Sequence, residues 1–190
     1  MTKPTDDRRR AILDAALSCF LSSGYLSTSM NDIRRTSGAS TGSIYHFFAG
    51  KAAIAEALLQ EAIAGWSDLT SPHPGTAEEE IKASVRGLVL WGLDNLPQAR
   101  FLDEMRGLAL FDPDLANIRT LIEAGHSAAA TRFAQMQVND AVRILPFAIA
   151  HALMLGPAYS YLRQAQATSS DEAARIAEIF AEAAWQAVRR

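Results

Sequence analysis

An all-helical fold is predicted by three observations. Alanine is abundant, apolar residues recur at helical spacing, and no run of alternating β-branched residues interrupts them. The expected architecture is a three-helix N-terminal domain with a helix-turn-helix over residues 1–50. A helical-bundle body over 51–190 follows, joined through a connecting helix at about 51–66.

The first helix is expected from about Asp7 to Ser22. Ile12, Ala16, Cys19 and Phe20 form its apolar stripe, and Asp6 and Asp7 complement the dipole at its start. Gly24 supplies a left-handed end, letting Tyr25 fold back on the last turn. The second helix, about Met30 to Thr36, opens with Ser29 and Asp32 at capping-box spacing and is anchored by Ile33. Ser37-Gly38-Ala39 makes a tight turn, and Ser40 caps a third helix through Phe47. Lys51 starts the fourth, which carries Ala55, Leu59, Ala62, Ile63 and Trp66 on one face. Ser71-Pro72-His73-Pro74-Gly75 reads as a linker. Further helices are expected at about 76–95, 99–110, 114–137, 141–166 and 170–189, the penultimate one kinked at Gly156-Pro157. Leu88-Val89-Leu90-Trp91-Gly92-Leu93 is apolar all round, which predicts a central position for its helix.

Composition narrows the function classes. With 190 residues, 49% of them hydrophobic and 21% charged, the chain resembles an ordinary globular protein with a core of its own. One cysteine, Cys19, excludes an internal disulfide and suits a reducing cytoplasm. No apolar run reaches membrane-span length, and the charged start MTKPTDDRRR lacks the core of a signal peptide, so no membrane partner is expected. The net charge of −3 divides unevenly: residues 1–51 hold seven cations and four anions, the remainder eleven and seventeen. A basic end on an acidic body suits contact with a polyanion, and equally suits a solvated basic tail.

The third helix has the features of a groove-binding element. Ser40, Thr41 and Ser43 place small hydroxyls where free backbone amides point outward, and Gly42 lets a phosphate backbone approach. Tyr45 and His46 follow within reach of phosphates or base edges, with Lys51 and Arg8–Arg10 adding charge at the flanks. The same Ser- and Gly-rich turn also fits a purely structural corner.

A resemblance weighs between these readings. Gly24-Tyr25, Thr28 to Ile33 and Ser37 to Lys51 together look like the DNA-binding domain of the TetR/AcrR family, over about residues 8–60. The resemblance implies a cytoplasmic regulator, most simply a repressor, that holds a near-palindromic DNA operator as a homodimer. It also implies a body that binds a small-molecule effector, and phosphate contacts from Thr28, Ser29, Tyr45 and Lys51. Arg34 departs from the family's frequent alanine, and Phe47 stands where a histidine is frequent, which leaves the role of His46 open. The last two helices would pair with their copies through Ala148, Ala152, Gly156, Ala173, Ala177 and Ala184, although the same residues suit contacts within one chain.

Trp66, Trp91, Phe101, Met105 and His126 are the candidate effector-binding residues, with Phe111, Phe133 and Tyr159 beside them, for a largely apolar or aromatic ligand. Each of these also fits a core position. No catalytic set, metal-ligand spacing or cofactor motif is found, so no enzyme activity, metal or cofactor is expected. The rival readings are a regulator without an inducer, and an all-helical enzyme or binding module.

Overall fold

The computed structural model describes residues 4–69, 75–139 and 141–190. The expected linker at Ser71–Pro74, with His73, and residue Asp140 lie outside the described residues. Among the described residues there are nine α-helices: α1 (Pro4–Ser23), α2 (Met30–Ser37), α3 (Thr41–Phe47), α4 (Lys51–Leu69), α5 (Ala77–Asp94), α6 (Leu96–Leu108), α7 (Ala116–Val138), α8 (Phe147–Gln164) and α9 (Ser170–Val188). A short 3-10 turn at Pro113–Leu115 leads into α7.

Helices α1, α2 and α3 pack around Ile12, Leu13, Phe20, Ile33 and Ile44, all buried. Gly24 adopts φ +80° and its N–H reaches the Phe20 carbonyl at 2.8 Å, ending α1 in the left-handed conformation that only glycine enters cheaply. Tyr25 folds under that end, its ring 5.3 Å from that of Phe20. Cys19 lies on the same side, its Sγ 3.4 Å from Thr36 Oγ1 on α2.

Helix α5 is central, as its apolar run predicts, and packs most extensively on α9. Its Gly92 meets Leu162 of α8 so closely that a Cβ there would lie 2.5 Å from Leu162 Cδ1. Ala173, Ala177 and Ala184 are buried within the chain on α9, so their small size serves the α5–α9 approach, while Ala148 and Ala152 on α8 stay exposed. The expectation that all of these alanines face a second copy is corrected accordingly. Ile149 and Leu153 of α8 and Ile179 of α9 are exposed large apolar side chains.

Two boundaries differ from the expected ones. Pro97 sits in the first turn of α6 instead of before it, a place where its missing N–H costs nothing. Helix α8 begins six residues later than expected, because the preceding backbone bonds elsewhere. The Arg143 N–H donates to the Val188 carbonyl at 2.8 Å, and Gln137 Nε2 donates to the carbonyls of Arg143 and Leu145 at 3.0 and 2.9 Å. Pro146 then opens the helix, which continues through Pro157.

Candidate nucleic-acid interface and cavity

The α2–turn–α3 unit is shaped by two N-caps and one glycine. Ser29 Oγ accepts the Asp32 N–H at 3.2 Å, and the Asp32 carboxylate accepts the Ser29 N–H at 3.0 Å. The Ser29 hydroxyl, which donates to the Asp32 carboxylate at 2.6 Å, and then the Ser29 N–H hold that carboxyl below its usual range. Gly38 closes α2 at φ +66°, and Ser40 Oγ accepts the Ser43 N–H at 3.2 Å to open α3. Ile44 turns inward as the anchor of α3, while Thr41, Gly42, Tyr45 and His46 are exposed and Ser43 is half-buried. A Cβ at Gly42 would meet no atom within 4 Å, so α3 presents an open surface there. The His46 ring stands edge-on to Phe47, with centroids 5.0 Å apart.

Thr28 and Lys51 occupy structural places rather than the solvent-facing ones implied for phosphate contacts. Thr28 is buried and donates its hydroxyl toward the carbonyls of Gly24 and Cys19, 2.9 and 3.2 Å away. Lys51 Nζ reaches the carbonyls of Tyr25, Leu26 and Thr28 at 2.8, 3.3 and 3.0 Å, so its three N–H donors are matched by three acceptors. It also lies 4.4 Å from the Tyr25 ring centre. Burial lowers the Lys51 pKa against the opposing pull of Asp112 and Asp114, and burial raises that of Tyr25 to about 12. Arg9 and Arg10 are likewise engaged, with Glu61 of α4 at 3.2 and 2.8 Å, and tie α1 to α4. Arg8, Arg34 and Arg35 are exposed; the latter two pair with Asn31 and Asp32 on their own helix.

A cavity of about 310 Å³ lies in the body between α4, α5, α6, α7 and α8. Trp66 and His126 line it, joined by Tyr159. Trp91, Phe101 and Met105 do not line it. All three are buried in the core: Trp91 lies against Gly65 of α4, and Phe101 stacks on Phe20 of α1, rings 5.7 Å apart and 13° from parallel. Phe133 is buried beside an adjoining smaller cavity, and Phe111 is exposed. Inside the larger cavity His126 Nε2 lies 3.1 Å from His151 Nε2, and the Arg106 guanidinium lies 4.1 Å from the Tyr159 ring centre. Burial, the His126 charge and Arg106 bring the His151 pKa down to about 4; burial, then Arg106, lowers that of His126. Burial raises the Tyr159 phenol.

Residues 12–58 match the family model described as bacterial regulatory proteins, tetR family. The match spans the N-terminal domain, from within α1 into α4. Solved structures share the fold over nearly all of the chain. A TetR-family transcription regulator from Marinobacter aquaeolei VT8 superposes with a TM-score of 0.75 at 20% identity, covering 97% of this chain and 96% of that one. A member of the family from Streptomyces coelicolor A3 gives a TM-score of 0.76 at 21% identity over 94% and 91% of the two chains. Salmonella enterica GusR gives 0.68 at 25% identity over 98% and 95%. Among curated proteins no relative is found.

The chain thus has the all-α architecture of these solved structures. Among the described residues no helix is long and apolar enough to cross a membrane. Arg106 and His151 are among the cavity-lining residues that the sequence did not single out as effector-binding. His151 stands alone in its segment, 25 residues from the histidine it touches, so no spacing pattern announces it. Arg106 follows Leu102 at i+4 on one face of α6, and that pairing was the available signal.

Proposed function

We propose that the chain is a homodimeric repressor that holds a near-palindromic operator through α3 and releases it when a small, largely apolar molecule enters the body cavity. Residues 1–50 form the reading head and 51–190 the effector and dimer domain, with α4 as the connection. The DNA surface comprises Ser29, Ser40, Thr41, Gly42, Ser43, Tyr45 and His46. Hydroxyls and free amides at the start of α3 take phosphates, and Tyr45 and His46 reach phosphates or base edges one turn on. Two copies pair through α8 and α9, burying Ile149, Leu153 and Ile179, which would otherwise stay in water.

The observation that carries the release step is the two-sidedness of α6. Phe101 and Glu104 hold α1 of the reading head, through the ring stack on Phe20 and a bond from the Tyr25 N–H at 3.0 Å. Leu102 and Arg106 on the same helix line the cavity. An occupant that favours a displaced α6 therefore favours a displaced head, and affinity for DNA falls by the same coupling energy that DNA exerts on the occupant. The test is operator binding by the whole chain, titrated with an aromatic compound library. Release by a compound that binds the cavity supports the mechanism; compounds that bind there and leave the operator complex intact refute it.

A further inference from the structure

We infer that the effector is a monocarboxylate: one carboxylate carried on an apolar or aromatic body, held by Arg106. This rests on the ligand-released reading above and adds the chemical class of the ligand. Among the described residues no carboxylate pairs with Arg106. The acids beside it on α6 are committed elsewhere, Asp103 to Arg163 at 2.8 Å and Glu104 to the Tyr25 N–H. The Arg106 guanidinium instead rests on the face of Tyr159, which offsets little of the cost of holding a cation in a cavity wall.

The remaining polar groups fit an anion as well. With Nε2 atoms 3.1 Å apart, one neutral imidazole donates and the other accepts, and taking up a proton turns the pair into a donor set for a carboxylate. Arg132, 3.8 Å from Glu80, is balanced by that acid, so among the described residues the cavity wall holds one cation without a carboxylate partner and suits one negative charge. Ile63, Leu102, Leu121, Ile122 and Leu155 supply the apolar wall for the rest of the molecule. The cavity volume is at the lower end of the roughly 300–1,000 Å³ that ligand sites span, which suits a small acid. A cation would meet Arg106 unscreened.

Proton uptake should accompany binding. The groups facing the histidines are Arg106 from α6, Arg132 from α7, Glu80 from α5 and Tyr159 from α8. Burial, the His126 charge and Arg106 depress the His151 pKa, and a bound carboxylate offsets the last two. Protonated histidine then becomes more favourable in the complex than in the free protein, so affinity rises as pH falls.

The experiment uses 2-naphthoate and its neutral isostere 2-naphthamide with the full chain, by titration calorimetry at pH 8 and pH 6. Operator release is read in parallel. Naphthoate is expected to bind about tenfold or more tightly than the amide, the scale of one charge-assisted hydrogen bond. That preference should vanish in Arg106→Met, return in part in Arg106→Lys, and widen at pH 6; thermal unfolding of each variant checks its fold. Equal binding of the two probes, or an undiminished preference in Arg106→Met, overturns the inference. So does failure of naphthoate to bind, while release of the operator by a neutral compound would still uphold the ligand-released reading. Naphthoate held through Arg106 without operator release does the reverse: the ligand class stands and the release mechanism falls.

Discussion

The carboxylate of Glu104 accepts the backbone N–H of Tyr25 at 3.0 Å, in a part-buried position where α6 meets the end of α1. This bond and the Phe20–Phe101 stack beside it join the body to the head. Glu104→Ala should leave that N–H unsatisfied and lower stability by about 1–3 kcal/mol. Phe101→Ala, which hollows the joint, should cost about 3–5 kcal/mol. Denaturant unfolding of both variants measures this. The account further expects both to loosen effector control of DNA binding, seen as a smaller ratio of operator affinity with and without effector.

Lys51 and Tyr45 should separate stability from DNA binding. Removing the ammonium in Lys51→Met strands three carbonyls at the turn after α1 and should cost about 1–3 kcal/mol. Because Lys51 is spent inside the fold, the dependence of operator affinity on salt should barely change, whereas losing a cation bound to phosphate lowers that slope by about 0.9. Tyr45 is exposed, so Tyr45→Ala should leave the melting temperature unchanged and weaken operator binding. Paired melting curves and salt titrations of the two variants decide between these roles.

Glycine positions give a sharper test of the packing. Gly92→Ala places a methyl against Leu162 in the core and should cost about 1–3 kcal/mol through overpacking. Gly38→Ala meets no atom within 4 Å, so any loss there comes from φ +66° alone and should be about 1–2 kcal/mol. Crystal structures would show Leu162 displaced in the first variant and no side-chain movement in the second.

His151 should make the body acid-sensitive. Its folded pKa, about 4, lies below the ordinary histidine value of 6.5, so the unfolded chain takes up the proton first as pH falls. The stability contributed by neutral His151 is complete above pH 6.5 and is lost progressively toward pH 4. Urea midpoints measured from pH 7.5 to 4.5 should decline more steeply for the natural chain than for His151→Asn. Parallel slopes would contradict the assignment.

The N-terminal domain was legible because its signals are local. Ser29 and Asp32 cap at fixed spacing, Gly24 and Gly38 take the positive φ their positions require, and α3 begins at Thr41 behind Ser40. The body was less legible because periodicity marks apolar positions without saying what lies opposite. Phe101 and Met105 share one face of α6 and Leu102 and Arg106 another; only tertiary packing sends the first pair into the core and the second to the cavity. Thr28 and Lys51 show the same limit for polar groups. A hydroxyl and an ammonium beside a candidate DNA surface suit phosphate, and the carbonyls left by the turn after α1 claim them first.

The central claim is that the exposed face of α3 reads DNA. Its most direct test is selection of bound fragments from random duplex DNA, carried out in parallel with the natural chain and Tyr45→Ala. The account predicts an enriched near-palindrome with the natural chain that is lost or strongly diminished with the variant. Absence of enrichment at low salt, or the same enriched sequence at equal strength with both proteins, would contradict it.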